Sequence, residues 1–95
     1  MNIAIAQIAP KLGDVAANLE THLDLLEKAR KKKAGLVVFP ELGLTGYTLK
    51  DLVEEVALDP RSDPRLARFV AKTKGLSAVV GFVEESPAEK GLFYN

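Results

Sequence analysis

The run Leu36-Val37-Val38-Phe39, apolar throughout and closed by Pro40, limits what this chain can fold into more than any other stretch. A strand with one face in water alternates polar and apolar residues. A strand without a polar position fits the inside of a parallel sheet covered on both faces by helices. Pro40 cannot donate to a ladder, so the strand must end there. Upstream, Asn2 to Ile8 carries Ile3 and Ile5 in alternation and reads as a strand. Pro10 and Gly13 mark a turn, and Asp14 is placed to cap a helix. Val15, Leu19, His22, Leu23 and Leu26 then recur at helical spacing, which predicts a helix to about Lys33 with Gly35 terminating it. Strand, helix and strand between Asn2 and Phe39 make a βαβ unit, with the usual right-handed crossover.

Beyond Pro40 lies a loop, Glu41 to Tyr47, with glycines at 43 and 46. Thr48-x-x-Asp51 predicts a variant capping box opening a short helix over 49–57. Asp59-Pro60 breaks it, and Asp63-Pro64 starts another, with Leu66, Phe69 and Val70 as its apolar face and Gly75 as its stop. Leu76 to Glu84 reads as a third core strand, Glu85 to Gly91 as a polar turn containing Pro87, and Leu92 to Asn95 as the start of a fourth strand. The expected fold is therefore α/β in the order β-α-β-α-α-β-β. Residues 1–95 form a single partial domain that stops on entering its fourth strand, so the chain reads as truncated.

Composition excludes several classes of function. Thirteen basic and thirteen acidic side chains cancel, leaving no general electrostatic attraction for nucleic acid or an anionic membrane. The cluster Arg30 to Lys33 falls where a helix should end and complements its dipole. No apolar run approaches the roughly 20 residues that span a bilayer. The first residues form a strand and not an export signal, so a cytoplasmic location is expected. There is no cysteine, hence no disulfide, no cysteine metal site and no thiolate within these residues. The single histidine, His22, lies on the apolar stripe of the first helix and reads as a core or rim residue; no metal site is expected.

The chemistry centres on Glu41, one residue past the end of a buried strand, where α/β sheets gather their ligands. Apolar neighbours should partly desolvate its carboxyl and draw it toward the range of a general base. Position alone leaves open a solvated loop carboxylate, or one paired with a lysine to hold the turn. The run VVFPELGLTGY resembles the first catalytic motif of the nitrilase, or carbon–nitrogen hydrolase, superfamily. IAIAQIAPKLGDVAANL is similar to that family's first strand and helix, AGLVVFPELGLTGY to its second strand and catalytic loop, GLSAVVGFVEE to its third strand and LFYN to the start of its fourth. The stretch LTGYTLKDLVEE is also similar to the amidase domains that feed ammonia to glutamine-dependent NAD synthetases.

This resemblance implies part of an α-β-β-α sandwich, with hydrolysis of a small amide or nitrile in the complete enzyme and no cofactor. The family works with a glutamate, a lysine and a cysteine, and the glutamate falls on Glu41. The lysine and cysteine motifs match nothing here, which implies a chain inactive alone, either cut short or completed by a C-terminal polypeptide. Phe39 and Tyr47 are candidates to line the substrate pocket, with packing as the other reading of each. Gly43 and Gly46 are expected to allow backbone turns. A different class of function also fits: a self-associating, non-catalytic module, since half a sandwich exposes a sheet face and edge. A homo-oligomer is then expected. A nucleotide-binding domain fits poorly, because neither G-x-G-x-x-G nor G-x-x-x-x-G-K-[ST] occurs.

Overall fold

The structure, a computed structural model, describes residues 1–47, 49–86 and 88–95. Strand β1 (Ile3–Ile5) leads into helix α1 (Val15–Lys31) and strand β2 (Leu36–Val38). After a 3-10 turn (Lys50–Leu52) come α2 (Val53–Val56), α3 (Pro64–Ala71) and β3 (Ser77–Val79), then the short strands β4 (Glu84–Glu85) and β5 (Phe93–Tyr94). This is a mixed α/β architecture. β1, β2 and β3 form a parallel sheet in that order, with Ala4, Val37 and Ala78 level with one another. β4 and β5 pair antiparallel beside it.

The central row Ala4–Val37–Ala78 faces the helices. Val37 is 1% exposed, which stabilises the fold by roughly 1.5–3 kcal/mol as a fully buried side chain. α1 presses Val15, Leu19, Leu23, Leu26 and Ala29 onto that face, and α3 adds Leu66 and Phe69. The two flanking rows are different. Ile3, Ile5 and Val79 are more than half exposed on the opposite face, so β2 is covered on one side and only half-covered on the other. The coverage of both faces anticipated from the apolar run is not supplied by the described residues, whose helices pack on a single face.

Asp14 caps α1, its side chain accepting from the Ala17 amide. The helix ends sooner than Gly35 suggests. Lys33 takes the left-handed turn at φ 59°, and the Ala34 amide reaches back to the Ala29 carbonyl, closing the helix in Schellman fashion. Gly35 instead donates its amide to the Asn2 carbonyl beside β1. In the basic cluster, Arg30 turns outward from α1 and donates to the carbonyls of Lys72 and Lys74 at the end of α3. Asp63 and Pro64 open α3 as expected. Val70, assigned to its apolar face, is 64% exposed. In a two-turn helix the covered stripe lies between Leu66 and Phe69, and the next residue rotates out of it.

The helix expected over 49–57 shrinks to the 3-10 turn and one α turn. It opens at Leu49 without a side-chain cap, and Thr48 lies outside the described residues, as does Pro87 in the later turn. The long third strand is also shorter: ladder pairing stops at Val79, and pairing resumes only at Glu84 with a different partner. Gly81 lies in the gap.

Candidate active site

β2 ends where three segments converge. The Ala6 amide bonds the Val38 carbonyl and the Phe39 amide bonds the Val79 carbonyl, each at 2.9 Å, so the strand is held on both edges up to Pro40. From there the loop coils on itself. Gly43 donates to the Pro40 carbonyl at 3.1 Å, and Gly46 to the Leu42 carbonyl at 2.8 Å. Gly46 occupies the left-handed region at φ +88°, a turn position that suits glycine.

The loop is tied to its surroundings through its main chain. Leu44, 1% exposed, donates its amide to the Gly81 carbonyl at 3.1 Å. Its carbonyl accepts from Asn18 Nδ2 at 2.9 Å. The Thr45 carbonyl accepts from the Gly13 amide at 2.8 Å. Asn18 is itself 3% exposed and also exchanges two 2.8 Å bonds with the Lys11 main chain. One amide thereby joins α1, the turn after β1 and the Glu41 loop. A buried amide bonded on both its oxygen and its nitrogen stabilises the junction; one left half-paired would cost about 1–3 kcal/mol.

One helical turn beyond Asn18 lies His22, with no exposed surface. Its ring stacks on Phe39 at a centroid distance of 4.2 Å and meets the edge of Phe69 at 6.2 Å. Nδ1 lies 2.6 Å from the Asn18 carbonyl, which places the proton on Nδ1. Among the described residues Nε2 has no hydrogen-bond partner, and it faces Gly43, where a β-carbon would come within 2.8 Å of it. Burial pushes the imidazole below its ordinary pKa, against a smaller opposing effect of the Asn18 hydrogen bond. His22 is a neutral core histidine. Gly43 is small because that ring lies beneath it, not because it turns the chain.

Above this support Glu41 is exposed, and its Oε1 accepts a hydrogen bond from Asn95 Nδ2. The desolvation expected at this carboxyl is not provided by the described residues. Glu41 and Asn95 meet beside a cleft of about 330 Å³ bordered by Gly81, Phe82 and Tyr94. A second cleft, of about 650 Å³, opens beside the carboxyl ends of β1 and β2 between Gln7, Ile8, Pro40 and Tyr47. Tyr47, 54% exposed, stands at that cleft. Phe39 also borders it, but its side chain is 4% exposed and engaged with His22 and Phe69. Glu41 does not line the larger cleft. Among the described residues, no three of histidine, aspartate or glutamate are grouped to hold a metal ion.

The residues around Glu41 match a known pattern from end to end: residues 2–95 fit the family profile of carbon-nitrogen hydrolases. The chain belongs to the carbon–nitrogen hydrolase family. Over 93 residues this hydrolase chain is 32% identical to a glutamine-dependent NAD(+) synthetase of Acinetobacter baylyi, covering 98% of itself and 17% of that protein. It is 29% identical over 98 residues to an arylacetonitrilase of Arthroderma benhamiae, covering 88% of itself and 29% of that protein. Its structure superposes on a glutamine-dependent NAD+ synthetase of Acinetobacter baumannii, solved with ADP, with a TM-score of 0.71 and 25% identity over 98% of this chain and 20% of that one. The chain thus spans about a sixth of the synthetase relatives' length.

Three residues that hold Glu41 went unnoticed in the sequence. Asn18 sits on the same stripe of α1 as His22, and a polar residue in an apolar stripe was a signal available there. Gly81 interrupts a strand pattern, which points to a close backbone approach. Asn95 gave no local signal; only the pairing of β5 with β4 brings it toward Glu41.

Proposed function

We propose that this hydrolase chain supplies the general base of an amide-hydrolysing site, with Glu41 taking the proton of a cysteine thiol. The observation that carries the reading is the hydrogen-bonded fixing of the Glu41 loop to α1 and β3, with the carboxylate exposed at the carboxyl edge of a parallel sheet and bonded to Asn95. The 95 residues hold no cysteine, so on this reading they turn over nothing by themselves. The thiol and a lysine come from a complementing polypeptide. The thiolate attacks the carboxamide carbon while the lysine offsets charge on the oxygen. Glu41 passes the thiol's proton to the nitrogen, the C–N bond breaks and ammonia leaves, and water then cleaves the thioester to free the thiol. Similarity to glutamine-dependent synthetases favours the glutamine side-chain amide over a nitrile as substrate. A reducing cytoplasmic setting suits a free catalytic thiol.

A chimera in which these residues replace the matched segment of the Acinetobacter baylyi synthetase tests this. It should release ammonia from glutamine, and Glu41→Gln should slow that release about 10²–10⁴-fold, the usual contribution of a positioned base. Ammonia release by the 95-residue chain alone, or an unimpaired Glu41→Gln chimera, would overturn the proposal.

The open sheet face favours a second reading, that of a self-associating, non-catalytic module. Ile3, Ile5 and Val79 lie together there, each more than half exposed, and such patches drive association. Light scattering that finds a monomer at high concentration rules this out.

A further inference from the structure

We propose that Gly81 is a positioning residue for Glu41, setting from β3 where the loop on β2 comes to rest. The inference builds on the reading of Glu41 as the base. Between Phe39 and Leu44 the loop is bonded to the β3 segment at two points, the Val79 carbonyl and the Gly81 carbonyl. Between those two bonds the Glu41 main chain crosses directly over the Gly81 α-carbon. A β-carbon built on Gly81 would fall 1.4 Å from the Glu41 carbonyl oxygen, 2.1 Å from its carbonyl carbon and 2.7 Å from the Pro40 oxygen. All three are backbone atoms, so no side-chain rotation relieves the overlap.

Gly81 is not in the left-handed region, and its backbone conformation is open to any residue. Its lack of a side chain serves the approach alone. Ladder pairing of β3 stops at Val79, before Gly81, so the seat lies outside the sheet it adjoins. Filling it should therefore move Glu41 and leave the β1-β2-β3 ladder in place. Gly43 over His22 involves a side chain that can shift, and a β-carbon on Gly46 would stand 3.1 Å from the Leu12 α-carbon; neither is an overlap as deep as the one at Gly81.

The test is spectroscopic and uses the 95-residue chain. Asn95 donates a side-chain N–H to Glu41, so its amide proton resonances report the carboxyl's protonation. Asn95 also carries the terminal carboxylate, so the response is taken as the part of the resonances' movement with acid that Glu41→Gln removes. Gly81→Ala is expected to lose the response while Val80→Ala, its neighbour in the same segment, keeps it. A parent-sized response in Gly81→Ala overturns the proposal. Where Gly81→Ala does not give a folded spectrum, it is recorded in trimethylamine N-oxide, which favours the compact state. If it stays unfolded there while Val80→Ala folds, the proposal also falls, because Gly81 then serves the fold at large. The reading of Glu41 as base is judged separately, by ammonia release from the Glu41→Gln chimera.

Discussion

His22 should make this fold acid-sensitive in a window of its own. The folded ring gives its Nδ1 proton to the Asn18 carbonyl, and Nε2 faces Gly43 with no partner among the described residues. A second proton would place a charge between two phenyl rings and a glycine, which is why burial holds the pKa down. The unfolded chain takes that proton near pH 6.5, its ordinary value. Below that pH the unfolded state binds one proton more than the folded state, so stability falls as pH falls. The limiting slope is about 1.4 kcal/mol per pH unit, until the folded ring itself titrates. Above about pH 6.5 the contribution is fully present. Carboxylates act lower: Asp63 and Glu85 have pKa values held below the ordinary carboxylate range by their arginine, lysine and main-chain partners, and lose that contribution only below about pH 4.5. Urea unfolding followed by circular dichroism at pH 5 and pH 7 separates the two windows. The parent should lose up to about 2 kcal/mol across that span, and His22→Phe should lose almost none. Equal stability of the parent at both pH values, or an undiminished loss in His22→Phe, would refute the reasoning.

Asn18→Leu should cost about 1–3 kcal/mol, because it strands the buried Leu44 carbonyl and removes the partner of the part-buried Lys11 amide; a lowered urea midpoint with unchanged m-value checks it. Gly43→Ala should cost a similar 1–3 kcal/mol by overpacking against the His22 ring. The same change made in a His22→Ala background should cost less, and strict additivity of the two would deny the contact.

The local elements of this fold were legible because their causes are local. Asp14 caps α1 and Asp63-Pro64 opens α3 through hydrogen bonds within three residues. The burial of Leu19 and Leu26 follows from helical periodicity, and that of Val37 from the apolar run around it. What could not be read depends on distant partners. The strand expected over 76–84 breaks because the Glu41 backbone, forty residues earlier in the chain, occupies the space over Gly81. The end of α1 at Lys31 is by contrast set locally, by the left-handed turn at Lys33 and the Ala34 amide bonded to the Ala29 carbonyl. Ile3 and Ile5 alternate along β1, yet it is the small Ala4 and Ala6 that face the helices. Period-two alternation shows that a strand has two faces without telling which is covered.

The position of the polar residues along α1 explains why the support for Glu41 is found where it is. In a βαβ unit the crossover helix runs antiparallel to its strands, so its first turns lie beside their carboxyl ends. Asn18 and His22 occupy those first turns, while Leu26 and Ala29 lie further along beside the strands' amino ends. A loop leaving a strand's carboxyl end cannot complete its hydrogen bonds within the sheet, and its buried carbonyls need donors from elsewhere. Asn18 provides one to Leu44, and His22 fills the space beneath Gly43. The apolar stripe of α1 is therefore interrupted only at the end where the chain must hold an irregular segment. The same stripe, read with the direction of the helix in mind, locates the base of the site from α1 alone. Gly81 then completes the support from β3, and Glu41 is held by its main chain while its carboxylate stays exposed beside Asn95.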